Sequence, residues 1–258
     1  MKISLVALTA LLGALVSASA PALATNRPLT IAGVTFGTGE HVKGSGRVVD
    51  DRRALSGFVA VHLTGPVDVQ LKASDHDSVT VHTDDNIAPL IETRTTGGDR
   101  PTLEIGVASS ASFRTARTPV VIVEFRAISE LVLRGSGDVR ADRIVSEDFT
   151  LSMTGSGDAR IDALQATRFA AVLAGSGDLV VNGRADEQAF RLSGSGDLAA
   201  GRLEGRRLQV SIAGSGDAVV YATETLDVTI AGSGDVAYRG SPRVTQRLRG
   251  SGSVHKLR

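Results

Sequence analysis

Six aspartates and seven serines recur in one short motif, and no other residues in this sequence are better spaced for chemistry. Gly-Ser-Gly-Asp begins at Gly135, Gly155, Gly175, Gly194, Gly214 and Gly232, and a seventh copy at Gly250 reads Gly-Ser-Gly-Ser. The steps between first glycines are 20, 20, 19, 20, 18 and 18 residues. If each copy sits over the next, Asp138, Asp158, Asp178, Asp197, Asp217 and Asp235 form a column of carboxylates. Neighbours about 5 Å apart repel, so some of their pKa values should rise. Ca²⁺ between coils would relieve the repulsion, because it takes carboxylate and carbonyl oxygens. The Ca²⁺-binding solenoid repeat is a different one, Gly-Gly-x-Gly-x-Asp in nine residues, with more oxygens per turn. Hydrogen bonds to the aspartates from Ser or from backbone N–H groups of adjacent coils would make an ion unnecessary. The structural reading comes first. Glycine at both corner positions points to φ > 0 or to crowding between coils, while Ser and Asp bond local backbone.

Catalytic signals are weak. The serines lack the G-x-S-x-G context and a local His base. His62, His76 and His82 lie near Asp75, Asp77, Asp84 and Asp85, but the spacing matches no zinc signature and reads as scattered surface. Stacking could pair Asp158 with Asp178, as a sugar hydrolase requires of two acids about 5–9.5 Å apart across a cleft. Short uniform coils and few aromatics (seven Phe, two Tyr, no Trp) argue against such a cleft. No Cys is present, which removes disulfides, thiolate metal sites and a Cys nucleophile. With 28 basic and 28 acidic residues, the chain has no charge bias toward nucleic acid. No catalytic residue and no cofactor is expected, Ca²⁺ on the aspartate column being the one alternative.

The elements that must hold these corners are strands. Residues 1–24 read as a signal peptide: Lys2, an apolar run from Ile3 to Val16, then Ala22-Leu23-Ala24 before Thr25, with cleavage after Ala20 as the alternative. No later apolar run is long enough to span a membrane. Residues 25–54 read as a lead-in segment, ordered only in part, with Gly44-Ser45-Gly46-Arg47 as an outlying copy of the repeat. Residues 55–130 form an irregular β region. Phe58–Leu63 and Val67–Leu71 flank a turn at Gly65-Pro66, and Gly97-Gly98-Asp99 is a hairpin turn. Ala108–Thr118 reads as an exposed loop, and Val120–Phe125 as a buried strand.

Residues 131–258 carry the repeats. Two residues before each first glycine stand Leu133, Met153, Leu173, Leu192, Ile212, Ile230 and Leu248; four after it stand Val139, Ala159, Leu179, Leu198, Ala218, Val236 and Val254. The positions four before and six after are also mostly apolar. Four columns of this kind become one core only if the coils stack. The fold expected is all-β: a parallel β-helix-like solenoid with coils of 18–20 residues. An antiparallel meander, sandwich or barrel is the rival. Gln246 and Lys256 break the apolar columns, as a terminal cap should.

Several motifs together resemble one family. Phe58-x-x-x-His62-Leu63-x-Gly65-Pro66-Val67-Asp68-Val69, Ser78-Val79-x-Val81 and Asp84-Asp85-Asn86-Ile87-Ala88-Pro89-Leu90-Ile91 are followed by Leu103-x-Ile105 and Ile128-Ser129-Glu130-Leu131-x-Leu133-x-Gly-Ser-Gly-Asp. This pattern is similar to the auto-transporter adhesin head GIN domain family, over Leu55 to Arg258. The resemblance implies an exported bacterial protein with a β-helix-like fold, and it brings no catalytic or binding residues. The sequence departs from the family's label in showing no large C-terminal barrel, so self-export is not expected. The function expected is non-enzymatic: a periplasmic, secreted or cell-surface solenoid that meets an envelope or extracellular ligand, protein or glycan. The alternatives are a Ca²⁺-binding structural repeat protein and a carbohydrate-active β-helix enzyme.

Overall fold

Alternation at period two, repeated every 18–20 residues, leaves an apolar stripe that a single coil cannot cover, and stacking covers it. The computed structural model describes residues 29–31, 34–36, 40–109 and 111–257. The expected signal peptide lies outside them. Residues 1–38 and 39–258 are separate units. In the first, strands β1 (Leu29–Ile31) and β2 (Val34–Phe36) pair antiparallel.

The second unit is the solenoid. Its irregular part holds β3 (Glu40–Lys43), β4 (Val48–Arg53), β5 (Ala60–Thr64), β6 (Asp68–Ala73) and β7 (Ser78–Asp84). After a 3₁₀ turn at Ala88–Leu90 come β8 (Ile91–Thr96), β9 (Thr102–Val107), β10 (Ala111–Arg114), β11 (Val120–Phe125) and β12 (Glu130–Gly135). The repeats follow as long bent strands: β13 (Val139–Gly155), β14 (Ala159–Gly175), β15 (Leu179–Gly194), β16 (Leu198–Gly214) and β17 (Ala218–Gly232). The last coil is split into β18 (Val236–Arg239), β19 (Arg243–Gly250) and β20 (Val254–Lys256).

Pairing from β12 through β20 is parallel, residue over equivalent residue: Leu131 over Leu151, Leu151 over Ala171, Ala171 over Phe190. The parallel solenoid is therefore the fold, and antiparallel pairing is confined to the N-terminal end, as β7 on β11, β4 on β7 and β8 on β9. Each long strand contributes to two rows. Its first arm continues the row β4–β7–β11–β6, through Val139 on Val69. Its last arm continues the row β8–β9–β5–β12, through Leu151 on Leu131.

The inward residues of both rows make one core. It holds the four expected columns and two more. One contains Ile144 and Leu164; the other runs Phe149, Phe169, Gln188, Leu208. Phe149 stacks on Phe169 along that file at 5.7 Å, and Phe169 meets Phe190 of the adjacent column edge-on at 5.6 Å. Gln188 interrupts it. Its Nε2 donates to the carbonyls of Ala185 (3.0 Å) and Leu203 (3.3 Å), while its buried Oε1 has no partner.

Three sequence expectations change. Strand β4 belongs to the main sheet, so the solenoid unit begins well before Leu55. Gly44-Ser45-Gly46-Arg47 is no corner of the array: Ser45 Oγ donates to Asp85 and the Ser45 N–H to Asn86 Oδ1, which makes it a clasp on the turn after β7. Ala108–Thr118 is not all loop, because β10 within it pairs parallel with β3.

Candidate functional site

The corners decide what the repeated aspartates do. The first corner glycine has positive φ, 126° at Gly155, and a Cβ there would lie 2.2 Å from the carbonyl oxygen of Gly135. The second is excluded from having a side chain by crowding alone: a Cβ on Gly157 would meet the Gly137 oxygen at 2.2 Å. With backbones this close, each carboxylate comes within reach of the next coil. Asp138 Oδ1 accepts the backbone N–H of Asp158 at 2.9 Å, and the same bond recurs at 2.8 Å from Asp178 to Asp158, Asp197 to Asp178, Asp217 to Asp197 and Asp235 to Asp217. All six predicted aspartates therefore stand in one file.

The start of the file was missed in the sequence, and its end is the seventh copy, where serine stands for aspartate. At its start Asp68 Oδ1 accepts the N–H of Asp138 at 3.0 Å, which makes Gly65-Pro66-Val67-Asp68 the first corner. At its end the amide and hydroxyl of Ser253 donate to Asp235 at 2.7 and 2.9 Å. The Ser253 hydroxyl and amide hold the Asp235 carboxyl below the usual range, opposite to the rise expected from repulsion. The serine expectation is corrected too. At the Gly155 corner it is the backbone N–H of Ser156 that bonds, to the Gly135 carbonyl at 2.9 Å, and among the described residues the hydroxyls of Ser136 through Ser233 at the corners take no protein partner.

Among the described residues no group of three or more His, Asp or Glu side chains is placed to hold a metal ion. The Asp138, Asp158 and Asp178 carboxylates border a shallow concavity of about 410 Å³ with Arg140 and Arg160. Both arginines turn to Asp162, at 2.9 and 2.6 Å. The three N-terminal histidines go to different acids, His62 to Glu130 (3.0 Å), His76 to Asp75 (2.8 Å) and His82 to Asp50 (2.6 Å), so they do not converge on one centre.

The most developed surface lies on the outside of the last arms. Parallel register puts Asp148, Arg168, Glu187 and Arg207 in one file, alternating in sign. Arg168 grips Asp148 through two nitrogens, and Arg207 pairs with Glu187. The Arg168 guanidinium holds the Asp148 carboxyl below its ordinary range. This file was legible as a charge alternation at repeat spacing, and sequence reading passed over it.

Beside it the outward positions of β13 and β14 are small, Thr150 and Ala170 in one row, Ser152 and Val172 in the next; β15 adds Ala189 to the first row and Arg191 to the second. Val172 is 38% exposed. The charged file and the small row border a groove of about 470 Å³, which Gln209 and Asp227 extend toward the C-terminal end. It is open, with Asp148, Arg168, Glu187 and Arg207 along one wall and Asp227 at the far end of the other.

Stacked parallel coils with glycine corners define the class of parallel β-solenoids. The chain belongs to the family described as "putative auto-transporter adhesin, head GIN domain", which matches residues 57–242. Its fold is that of a putative adhesin from Bacteroides fragilis (22% identity, TM-score 0.79, 84% of this chain and all of the other). It is also that of a putative adhesin from Parabacteroides merdae (21%, 0.69, 85% and 100%) and of a protein from Parabacteroides distasonis described as a putative lipid binding protein (25%, 0.72, 85% and 100%). No curated protein matches the chain. No helix among the described residues is long and apolar enough to cross a membrane.

Proposed function

We propose that this chain is an exported, non-enzymatic binding module that engages an envelope or extracellular ligand through the outward face of β13 to β16. One observation carries the reading. Equivalent residues of β13 to β15 present small side chains, Thr150, Ala170 and Ala189 in one row and Ser152 and Val172 in the next, beside a self-neutralised ion-pair file. Small side chains lose little entropy on contact and let an extended ligand approach the sheet closely. The file Asp148–Arg168–Glu187–Arg207 pairs its own charges, so it can fix register without demanding a ligand of one sign. Membership of an adhesin family and the signal-like residues 1–24 support export and binding over catalysis.

The test is capture of envelope components and glycans by the immobilised processed chain, beginning at Thr25. The chain is compared with a variant carrying Ala170→Glu and Ser152→Arg, both outward on the face. Capture lost in the variant, with unfolding unchanged, supports the face. Capture equal in both would place binding elsewhere.

A further inference from the structure

The terminal coil differs electrostatically from the rest of the solenoid. From Val236 to Arg258 the sequence holds Arg239, Arg243, Arg247, Arg249, Lys256 and Arg258, with no Asp or Glu, although the whole chain is neutral. The remainder carries an equal negative excess, so cationic charge is concentrated in this coil. Arginines in earlier coils are matched across the stack, Arg168 with Asp148, Arg207 with Glu187 and Arg206 with Glu224. Among the described residues Arg239, Arg243, Arg247, Arg249 and Lys256 make no ion pair, and Lys256 Nζ only donates to Ser241 Oγ at 3.1 Å. Asp227 borders a shallow groove with Arg247 but forms no bridge to it. Asp235 is occupied by Ser253.

The same coil exposes apolar surface. Strand β19 lies on β17, with Val244 over Leu226 and Leu248 over Ile230. Val244 on β19 and Val254 on β20 are half-buried, and Leu248 is 42% exposed. Apolar side chains that alternate along one strand with unpaired cations, as Val244 and Leu248 do with Arg243, Arg247 and Arg249, are what an interface of phosphate headgroups and acyl chains rewards: charge attracts the headgroups, and the apolar side chains enter below them. A nucleic acid or free phosphate would use the cations and leave Leu248 idle.

We propose that the terminal coil, β18 to β20, docks on an anionic lipid surface and seats the solenoid end-on, leaving the long face free. Vesicles of phosphatidylcholine, alone or with about a third phosphatidylglycerol, test it by co-sedimentation with the processed chain. Binding is expected only with phosphatidylglycerol, falling at high salt. Each cation removed among Arg243, Arg247, Arg249 and Lys256 (to Gln) should lower partitioning about fivefold. Leu248→Ser should weaken binding that survives moderate salt. A variant with Arg243, Arg247 and Arg249 all changed to Lys keeps the charge, and its retained binding would separate charge loss from misfolding. Equal sedimentation of the chain and its Gln variants overturns the proposal. So does salt-sensitive self-association without vesicles that the Gln variants abolish, which would assign the end to a second copy.

Discussion

The backbone N–H of Asp178 donates to Asp158 Oδ1 at 2.8 Å, twenty residues back in the chain and one coil down the stack. The bond converts a column of like charges into a ladder, because each carboxylate faces an amide dipole of the next corner. Asp158→Ala removes the acceptor and should cost about 1 kcal/mol. Asp158→Asn keeps an oxygen in place and should recover most of it. Urea midpoints of the three chains decide this; an Asn variant as weak as the Ala variant would mean that the charge, and not the acceptor, matters.

Calcium is expected to add little. One oxygen of each ladder aspartate is already spent, and no cluster of three acidic or imidazole groups stands ready among the described residues. Melting temperatures in millimolar Ca²⁺ and in chelator should agree closely. A large rise with Ca²⁺ would put ions into the column.

Gly157 and Ser156 are neighbours with opposite expected tolerance. Gly157→Ala drives a Cβ to 2.2 Å from the Gly137 oxygen, and backbone on both sides must part, at a cost of about 3 kcal/mol or more. Ser156→Ala removes an exposed hydroxyl without a protein partner and should stay within about 0.5 kcal/mol. Thermal unfolding of the pair measures the contrast.

Phe169 lies between Phe149 and Phe190 in the middle of the array. Phe169→Ala should cost about 3–5 kcal/mol. Since coils are stabilised chiefly by their neighbours, the loss should also split a single unfolding transition into two. Calorimetry reads both effects.

Asp77 staples the start of β5 to the end of β11. Its carboxylate takes the Gly57 amide at 2.8 Å, and the Arg126 amide and guanidinium at 3.0 Å each, and its side chain is 3% exposed. Burial pushes its pKa up, but Arg126 and the two amides outweigh it and leave it below the ordinary 3.8. A depressed folded value means that the stabilisation is present above 3.8 and is lost as pH falls through the lower folded value. Asp77→Asn should therefore destabilise at pH 7 and lose less than the parent on acidification. Urea midpoints at neutral pH and near about pH 3 give the comparison; parallel losses in both chains would remove Asp77 from the acid response.

Much of this architecture was legible because the repeat subjects every copy to one environment. Leu133, Met153 and Leu173 are apolar for the same reason, and the glycines of successive corners are glycine for the same reason. Ile144 escaped notice because the alternation breaks at Asp142-Arg143 and again at Glu147-Asp148, which puts it out of phase with the stripes on either side, while Phe149 keeps the phase of Leu151 and Met153 but lies one step beyond the four columns. Asp68 escaped because its corner, Gly65-Pro66-Val67-Asp68, keeps only the first and last letters of the motif. It also lies 70 residues from the next corner, with β7 to β12 in between.

The sequence by itself determined an all-β parallel stack, its coil length and the positions of its corners, since hydrophobic period and glycine placement are properties of one coil. Only the tertiary structure decided that aspartate bonds the amide of the following coil while serine does not. It alone decided that Arg168 pairs with Asp148 and Arg207 with Glu187, and that the cations of the last coil stay unpaired among the described residues. Those relations depend on register between coils, and register is fixed when neighbouring backbones close to within hydrogen-bonding distance.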